Sequence, residues 1–392
     1  MCKTGRSAKE EVIQIPNDKL NKAYTQFPYT LDEPDGSKRS LLLKRDGYSF
    51  PITDIHNVLP DGTQFLKKTV KVPLSTSELI EKLQDKIHKI TFTDSEKQQA
   101  QADLDVINYY RISAFRKNIN QDSTTYTDLI ALYQFDRFLR NSISRLVPTI
   151  EISLKTSLAR FIAMNYKNSD LEYSGGLAYL NLSIYKQSSG KQLEVKRMLS
   201  QFSEEMTRLI NKDSMIKHHV TNYGGQIPIW VLFEEITLGE FSKFVSLLPS
   251  ELVQQWCEDL FVAPFRIFSN THKDVKGWIS TIQVLRNTAA HGSKIYGQFL
   301  TYNPRISDEN LSRLDLENMG RITPENLRHT LFAGLLTLKI FYSRLRLADK
   351  KEWNTFLDKL SNKIKKNSIV DISKIGMPQN WFEVLQIDLE EQ

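Results

Sequence analysis

Between Tyr126 and Tyr166, Leu129, Leu132, Tyr133, Phe135, Phe138, Leu139, Ile143 and Leu146 recur every three or four residues, and Ile150, Leu154, Leu158, Phe161 and Ile162 continue the pattern. That spacing puts them on one side of an α-helix, which can bury that side only against other elements. Pro148 interrupts the stripe; it lacks a backbone donor and clashes with the preceding turn, so a break or kink is expected there. Other segments carry the same period. Ser75-Thr76-Ser77-Glu78 offers caps ahead of Leu79, Ile80, Leu83, Ile87 and Ile90, and Ala102, Leu104, Val106 and Ile107 predict a second helix leading into Asn108-Tyr109-Tyr110-Arg111. Helices are also expected from Leu193 to Asn211, from Val275 to His291, from Pro324 through Phe341 and from Trp353 to Ile364.

Residues 1 to about 65 have a different texture. Asp35-Gly36, Asp46-Gly47 and Asp61-Gly62 are turn dipeptides, and the apolar stretch Leu41 to Leu43 is short, which reads as turns with short strands. The expected organisation is an all-α protein with a small irregular appendage (1–65), a helical lobe (66–125), a helical core with insertions (126–347) and a helical tail (348–392). Ser174-Gly175-Gly176, Ser188-Ser189-Gly190 and Tyr223-Gly224-Gly225 read as loops between helices.

A chain of 392 residues that is 40% hydrophobic and 25% charged has material for a sizeable core, which excludes a disordered or fibrous protein. Two cysteines, Cys2 and Cys257, cannot build a disulfide framework or a thiolate zinc site, so a reducing compartment is expected. The N-terminal segment lacks the apolar core of a signal peptide, and the longest apolar runs, Ile227 to Phe233 and Leu331 to Tyr342, are too short to span a membrane. Together these predict a cytoplasmic protein without a membrane partner. The formal charge of +6 and a pI near 9.0 lean towards nucleic-acid binding but equally describe an ordinary basic surface. Arg137, Arg140, Arg145, Lys155 and Arg160 accompany the long stripe, either as an RNA-facing surface or as a solvated one.

The chemistry concentrates in Arg286-Asn287-Thr288-Ala289-Ala290-His291-Gly292, at the end of a helix that turns Val275, Trp278, Ile279, Ile282, Leu285 and Ala289 inward. Gly292 is placed to end that helix in the left-handed conformation. Asn287 and His291, four residues apart, share a face, so the amide can orient the ring or contact the same ligand. Arg286 and His291, five apart, point about 140° away from each other on an ideal helix, which makes one copy an awkward site. Two copies across a two-fold axis would gather two arginines and two histidines round one phosphate, and a homodimer is the simplest way to do so. Such a cluster suits metal-free RNA cleavage, in which the ribose 2′-hydroxyl attacks the adjacent phosphorus and leaves a 2′,3′-cyclic phosphate. His291 would move the proton, since imidazole titrates near neutral pH, and the negative end of a helix favours a cation there. The planar donor fork of Arg286 would stabilise the pentacoordinate phosphorus. A second Arg-to-His spacing, Arg266 to His272, lacks the Asn and lies before a helix, so it is set aside.

Other groups carry weaker signals. Gly190-Lys191 is no P-loop, His218-His219 cannot both face one metal and are read as loop histidines, and Glu234-Glu235 is read as first-turn acids of a helix. Tyr109-Tyr110 could stack bases or fill a core.

Taken together, four segments resemble the Abi-like family of bacterial abortive-infection proteins, of the AbiD and AbiF kind. They are Ile107-Asn108-Tyr109-Tyr110-Arg111-Ile112-Ser113; Phe135-Asp136-Arg137-Phe138-Leu139-Arg140 leading to Ile150-Glu151-Ile152; Pro228 to Glu234 with Leu238-Gly239-Glu240-Phe241-Ser242; and Leu285 to Gly292. The ending Ile375-Gly376-Met377-Pro378-Gln379-Asn380-Trp381 resembles the family's C-terminus, so the resemblance spans about 67–385. It implies a HEPN-like helical bundle acting in phage defence as a toxin that cuts RNA without a cofactor. By position Arg286 and His291 take the catalytic roles, Asn287 the supporting polar one, Lys294 a phosphate contact, and Glu151 the family's acid in the long helix. The implied partners are RNA, a second copy of the chain, and a noncoding RNA or antitoxin. The competing reading is a non-catalytic RNA-binding or protein-interaction module of such a defence system.

Overall fold

The computed structural model describes residues 72–119, 124–261, 271–302, 304–306, 311–316, 319 and 322–389, together with five short strands before residue 68. The chain forms two compact units, Met1–Ser75 and Thr76–Gln392. In the first, β1 (Glu11–Gln14) and β4 (Asn57–Val58) pair antiparallel with β5 (Gln64–Lys67), and β2 (Tyr29–Asp32) pairs antiparallel with β3 (Lys38–Leu41). The Asp-Gly turn dipeptides expected there lie outside the described residues, as does the Arg266 of the discarded second motif.

Among the described residues of the second unit the regular structure is helical, apart from a two-residue parallel bridge joining Ile90–Thr91 to Thr124–Thr125. Its first helices are α1 (Thr76–Gln84), α2 (Asp94–Val106) and α3 (Tyr109–Ser113). The α1 stripe ends sooner than its period implies. The Asp85 carboxylate accepts the backbone N–H groups of Ile87 at 2.9 Å and His88 at 2.7 Å, turning the chain, so Ile87 is 80% exposed and Ile90 enters the bridge. The expected continuation of α2 into the tyrosine pair is also broken, because the Asn108 side chain accepts from Tyr110 N at 2.9 Å and starts a new helix.

At the centre of the unit lies α4 (Tyr126–Asn165), a single helix of 40 residues opened by a capping box in which Thr125 and Asp128 satisfy each other's backbone N–H groups. It runs through Pro148 without the expected break. A proline inside a helix costs about 3 kcal/mol. Leu146, Val147 and Ile150 beside it are fully buried, and each such side chain contributes roughly 1.5–3 kcal/mol, so packing on both flanks outweighs the local loss. Leu129, Leu132, Phe135, Leu139, Ile143, Leu154, Leu158 and Ile162 complete the buried stripe.

Around α4 the chain continues with α5 (Ser189–Leu209), α6 (Ser214–Asn222), α7 (Ile229–Glu235), α8 (Leu238–Leu247), α9 (Ser250–Leu260) and α10 (Thr271–Ala290). It closes with α11 (Pro324–Leu327), α12 (Leu331–Tyr342), α13 (Leu347–Lys366) and α14 (Trp381–Leu385). Ser189 and Gly190, read as loop residues, open α5, and the single helix expected after Pro324 is two. α10 packs on α4, α8, α9 and α12, so the helix carrying the Arg286 to His291 segment is held on several sides.

One acid ties the start of α2 to the start of α4. Glu96 accepts Thr93 N at 2.8 Å and Thr93 Oγ1 at 3.0 Å, and also Thr127 N at 2.9 Å and Thr127 Oγ1 at 2.7 Å. Burial by itself would raise its pKa, but these hydrogen bonds outweigh burial and hold it at about 2. Because the folded value lies below the unfolded one, this stabilisation is complete above the ordinary carboxylate range. It declines as pH falls below about 4.5 and is gone near pH 2. Glu96→Gln is therefore expected to melt below wild type at pH 6, with the gap closing towards pH 3 in thermal denaturation followed by circular dichroism.

Candidate functional site

The C-terminal turn of α10 separates its faces sharply. Val275, Ile279, Ile282 and Leu285 are fully buried, whereas Arg286, Ala290 and His291 are exposed and Asn287 is half-buried. The helix ends as its glycine requires: Ser293 N donates to Thr288 O at 2.9 Å and Gly292 N to Ala289 O at 3.1 Å, with Gly292 at φ +63°. A side chain at residue 292 would be strained by that φ, and its Cβ would lie 2.9 Å from Arg111 Nη1 and 3.3 Å from Arg140 Nη1. His291 therefore sits at the C-cap, on the last rung before the chain turns away. Its backbone N–H donates to Asn287 O at 3.0 Å. The Asn287 amide oxygen accepts from Arg286 Nη1 at 3.2 Å, so the amide pairs with the guanidinium and does not orient the ring, one of the two roles its spacing from His291 allows.

Beyond the turn the backbone is pinned from two directions. Asp136 of α4, 1% exposed, accepts Ile295 N and Tyr296 N through Oδ1 at 2.8 Å each, and Arg140 Nε through Oδ2 at 2.9 Å. Arg140 Nη1 in turn donates to Gly292 O at 3.4 Å, and Arg111 of α3 donates to the same carbonyl. Tyr296 is buried edge-on to Phe135, and its hydroxyl donates to Asp371 O at 3.1 Å while accepting Asp371 N at 2.9 Å. Three stretches that look unrelated in the sequence thus converge on one turn: the tyrosine segment through Arg111, the first half of the long helix through Asp136 and Arg140, and the Arg286 to Gly292 segment itself.

Lys294 points inward: Nζ donates to Ala114 O at 2.8 Å and to Asn118 Oδ1 and lies 4.6 Å from the centre of the Phe115 ring. Burial, offset in part by Asp136, brings its pKa down to about 8. Lys155, expected on an RNA-facing surface, is 7% exposed; Nζ lies 2.7 Å from Glu151 Oε1 and donates to Ile236 O at 2.6 Å, capping the end of α7. It stands fifteen residues beyond Arg140, about 22 Å along the helix, so Lys155 is enclosed away from the turn and does not present its charge to RNA, and Glu151, expected as a supporting acid, is its ion-pair partner. Arg145 pairs with Glu352 at 3.0 Å and Arg160 with Asp259 at 3.3 Å.

His218 and His219 lie on α6, not in a loop; Asn222 Nδ2 meets His218 Nδ1 at 2.9 Å and His219 Nδ1 contacts Gln226 O at 3.1 Å. Glu234 and Glu235 occupy the last turn of α7 instead of its first, and burial together with Asp213 and Glu234 raises the Glu235 pKa. The tyrosine pair divides its roles, with Tyr109 buried and Tyr110 63% exposed. Among the described residues no group of three His, Cys, Asp or Glu side chains is placed to hold a metal ion.

Asp136 and Arg111 were not recognised as site residues in the sequence. For Asp136 a signal existed: it is a charge on the buried side of the stripe, four residues after Leu132 and three before Leu139, with Arg140 one turn on. Arg111 carried none beyond its place beside the tyrosines.

The family model described as Abi-like protein matches residues 102–297, half of the chain. The chain belongs to the Abi-like protein family. The Abi-like match begins within α2, takes in α3, α4 and the Arg286 to Gly292 turn, and ends at Gly297, just after the backbone that Asp136 holds. The C-terminal ending at 375–381 lies outside it. Membership suggests a role in abortive-infection phage defence. No curated protein and no solved structure matches the chain. No described helix is long and apolar enough to cross a membrane.

Proposed function

We propose that this Abi-like protein is a metal-independent HEPN endoribonuclease of phage defence, in which Arg286 and His291 from two copies of the chain meet at one phosphodiester. The observation that carries the reading is the exposure of both side chains at the end of a helix whose Val275, Ile279, Ile282 and Leu285 are fully buried, on a turn braced by Asp136 and Arg140. A structural pair would be expected to face a partner within the fold. These two are exposed, and among the described residues the guanidinium hydrogen-bonds to the neighbouring amide.

In the mechanism that fits, His291 removes the 2′-hydroxyl proton or protonates the departing 5′-oxygen, and its counterpart in the second copy takes the other role. Arg286 stabilises the phosphorane dianion, and Asn287 holds the guanidinium in place. The 2′-oxygen forms a bond to phosphorus as the P–O5′ bond breaks, leaving a 2′,3′-cyclic phosphate and a 5′-hydroxyl. Incubating purified wild type with mixed cellular RNA in EDTA is expected to yield those two ends. DNA of the same length, which lacks the attacking hydroxyl, is expected to survive. Intact RNA from a preparation that is toxic on overexpression would favour binding without cutting.

A further inference from the structure

We infer that Arg111, with Arg140 beside it, forms a phosphate-binding subsite that holds a backbone phosphodiester of RNA flanking the linkage presented to His291. The inference rests on the ribonuclease reading for its substrate, but not for the geometry that motivates it.

Two guanidiniums converge on one carbonyl. Arg111 Nη1 and Arg140 Nη1 both donate to Gly292 O, on the turn that directly follows His291. Their charges are balanced differently. Arg140 has Asp136 at 2.9 Å and is largely enclosed, its side chain 12% exposed. Arg111 is exposed and pairs with no carboxylate among the described residues. Among the described residues one cation of the pair is therefore uncompensated. It lies beside a like charge on an exposed side chain.

A single neutral carbonyl shared by two guanidiniums satisfies few of their donors, and a phosphodiester oxygen would satisfy more while relieving the repulsion. The surroundings favour an anion from the nucleic-acid backbone. Arg286 and His291 are exposed on the same helix end, and Tyr110, next to Arg111, presents an exposed ring, the pairing of cation and aromatic face that single-stranded RNA binders use. Arg111 also comes from α3, outside the catalytic helix, so the subsite would extend the grip on RNA beyond the reacting linkage.

The test uses full-length protein in a His291→Ala background, so that RNA is not consumed, and a short fluorescein-labelled oligoribonucleotide read by anisotropy over a series of salt concentrations. Adding Arg111→Ala is expected to weaken binding by roughly tenfold and to lower the slope of log Kd against log salt by about one. Arg111→Lys, which restores charge but not the fork, is expected to recover most of that slope. An oligodeoxyribonucleotide of the same sequence is expected to lose affinity to the same extent, since the contact is to phosphate. Thermal melting of each variant reports whether the turn has simply come apart.

Unchanged affinity on Arg111→Ala, weaker binding with an unchanged salt slope, or failure of the His291→Ala protein to bind the oligonucleotide would each overturn the subsite. A wild type that never cuts RNA, combined with Arg111-dependent, salt-sensitive binding, would remove the ribonuclease reading and leave the subsite standing.

Discussion

Alanine at position 291 is expected to reduce RNA scission by roughly 10²- to 10⁴-fold, the range contributed by a positioned general acid or base. Stability should be left within about 0.5 kcal/mol of wild type, because His291 is exposed and its side chain makes no hydrogen bond or ion pair among the described residues. The measurement is the rate of appearance of cyclic-phosphate ends from a defined oligoribonucleotide in EDTA, alongside urea denaturation of the same preparations. Equal rates for wild type and His291→Ala would remove His291 from the chemistry. Arg286→Ala is the natural companion, since loss of one imidazole and loss of one guanidinium should produce the same intact fold and the same silence if they serve a single transition state.

Asp136→Ala should do the opposite to the fold. The carboxylate is 1% exposed and accepts three donors, Ile295 N, Tyr296 N and Arg140 Nε. Removing it leaves two buried backbone N–H groups unsatisfied and a largely enclosed guanidinium without its counter-charge, and breaking such a buried pair costs about 3–5 kcal/mol. Asp136→Asn keeps one acceptor for the two N–H groups but turns an amide towards Arg140, so a smaller loss, about 1–3 kcal/mol, is expected. In both variants scission should fall along with stability, since residues 292–296 no longer hold the turn that carries His291. An unfolding midpoint for Asp136→Ala within about 1 kcal/mol of wild type would show that the bracing is dispensable. The contrast between the two sites is itself diagnostic: His291→Ala should be stable and inactive, Asp136→Ala unstable and inactive.

Much of the helical framework could be read along the chain because its signals are local. The stripe from Leu129 to Ile162 is buried as its period requires, and Gly292 ends α10 through the left-handed turn that glycine adopts at little cost. Where the reading failed, a competing local group or a distant neighbour had decided the matter. Asp85 captured the N–H groups of Ile87 and His88 and stopped α1 early, although the apolar spacing ran on. Pro148 was overruled by the burial of Leu146, Val147 and Ile150 around it. Among the cations of the long helix, nothing in the spacing distinguished Lys155, which is sealed against Glu151 and the end of α7, from Arg140, which reaches the turn after His291.

Periodicity, caps and helix stops act over a few residues, so the sequence alone determined that this chain is helical, that a long helix organises it, and that an arginine, an amide and an imidazole gather where another helix ends. Which charged groups surround that end was settled by contacts across much greater separations. Arg111 reaches Gly292 over 181 positions and Asp136 reaches Ile295 over 159. The identity of a lysine or aspartate does not encode what packs against it; only the folded arrangement of α3, α4 and α10 turned Asp136 into a brace, Lys294 inward and Arg111 out to solvent.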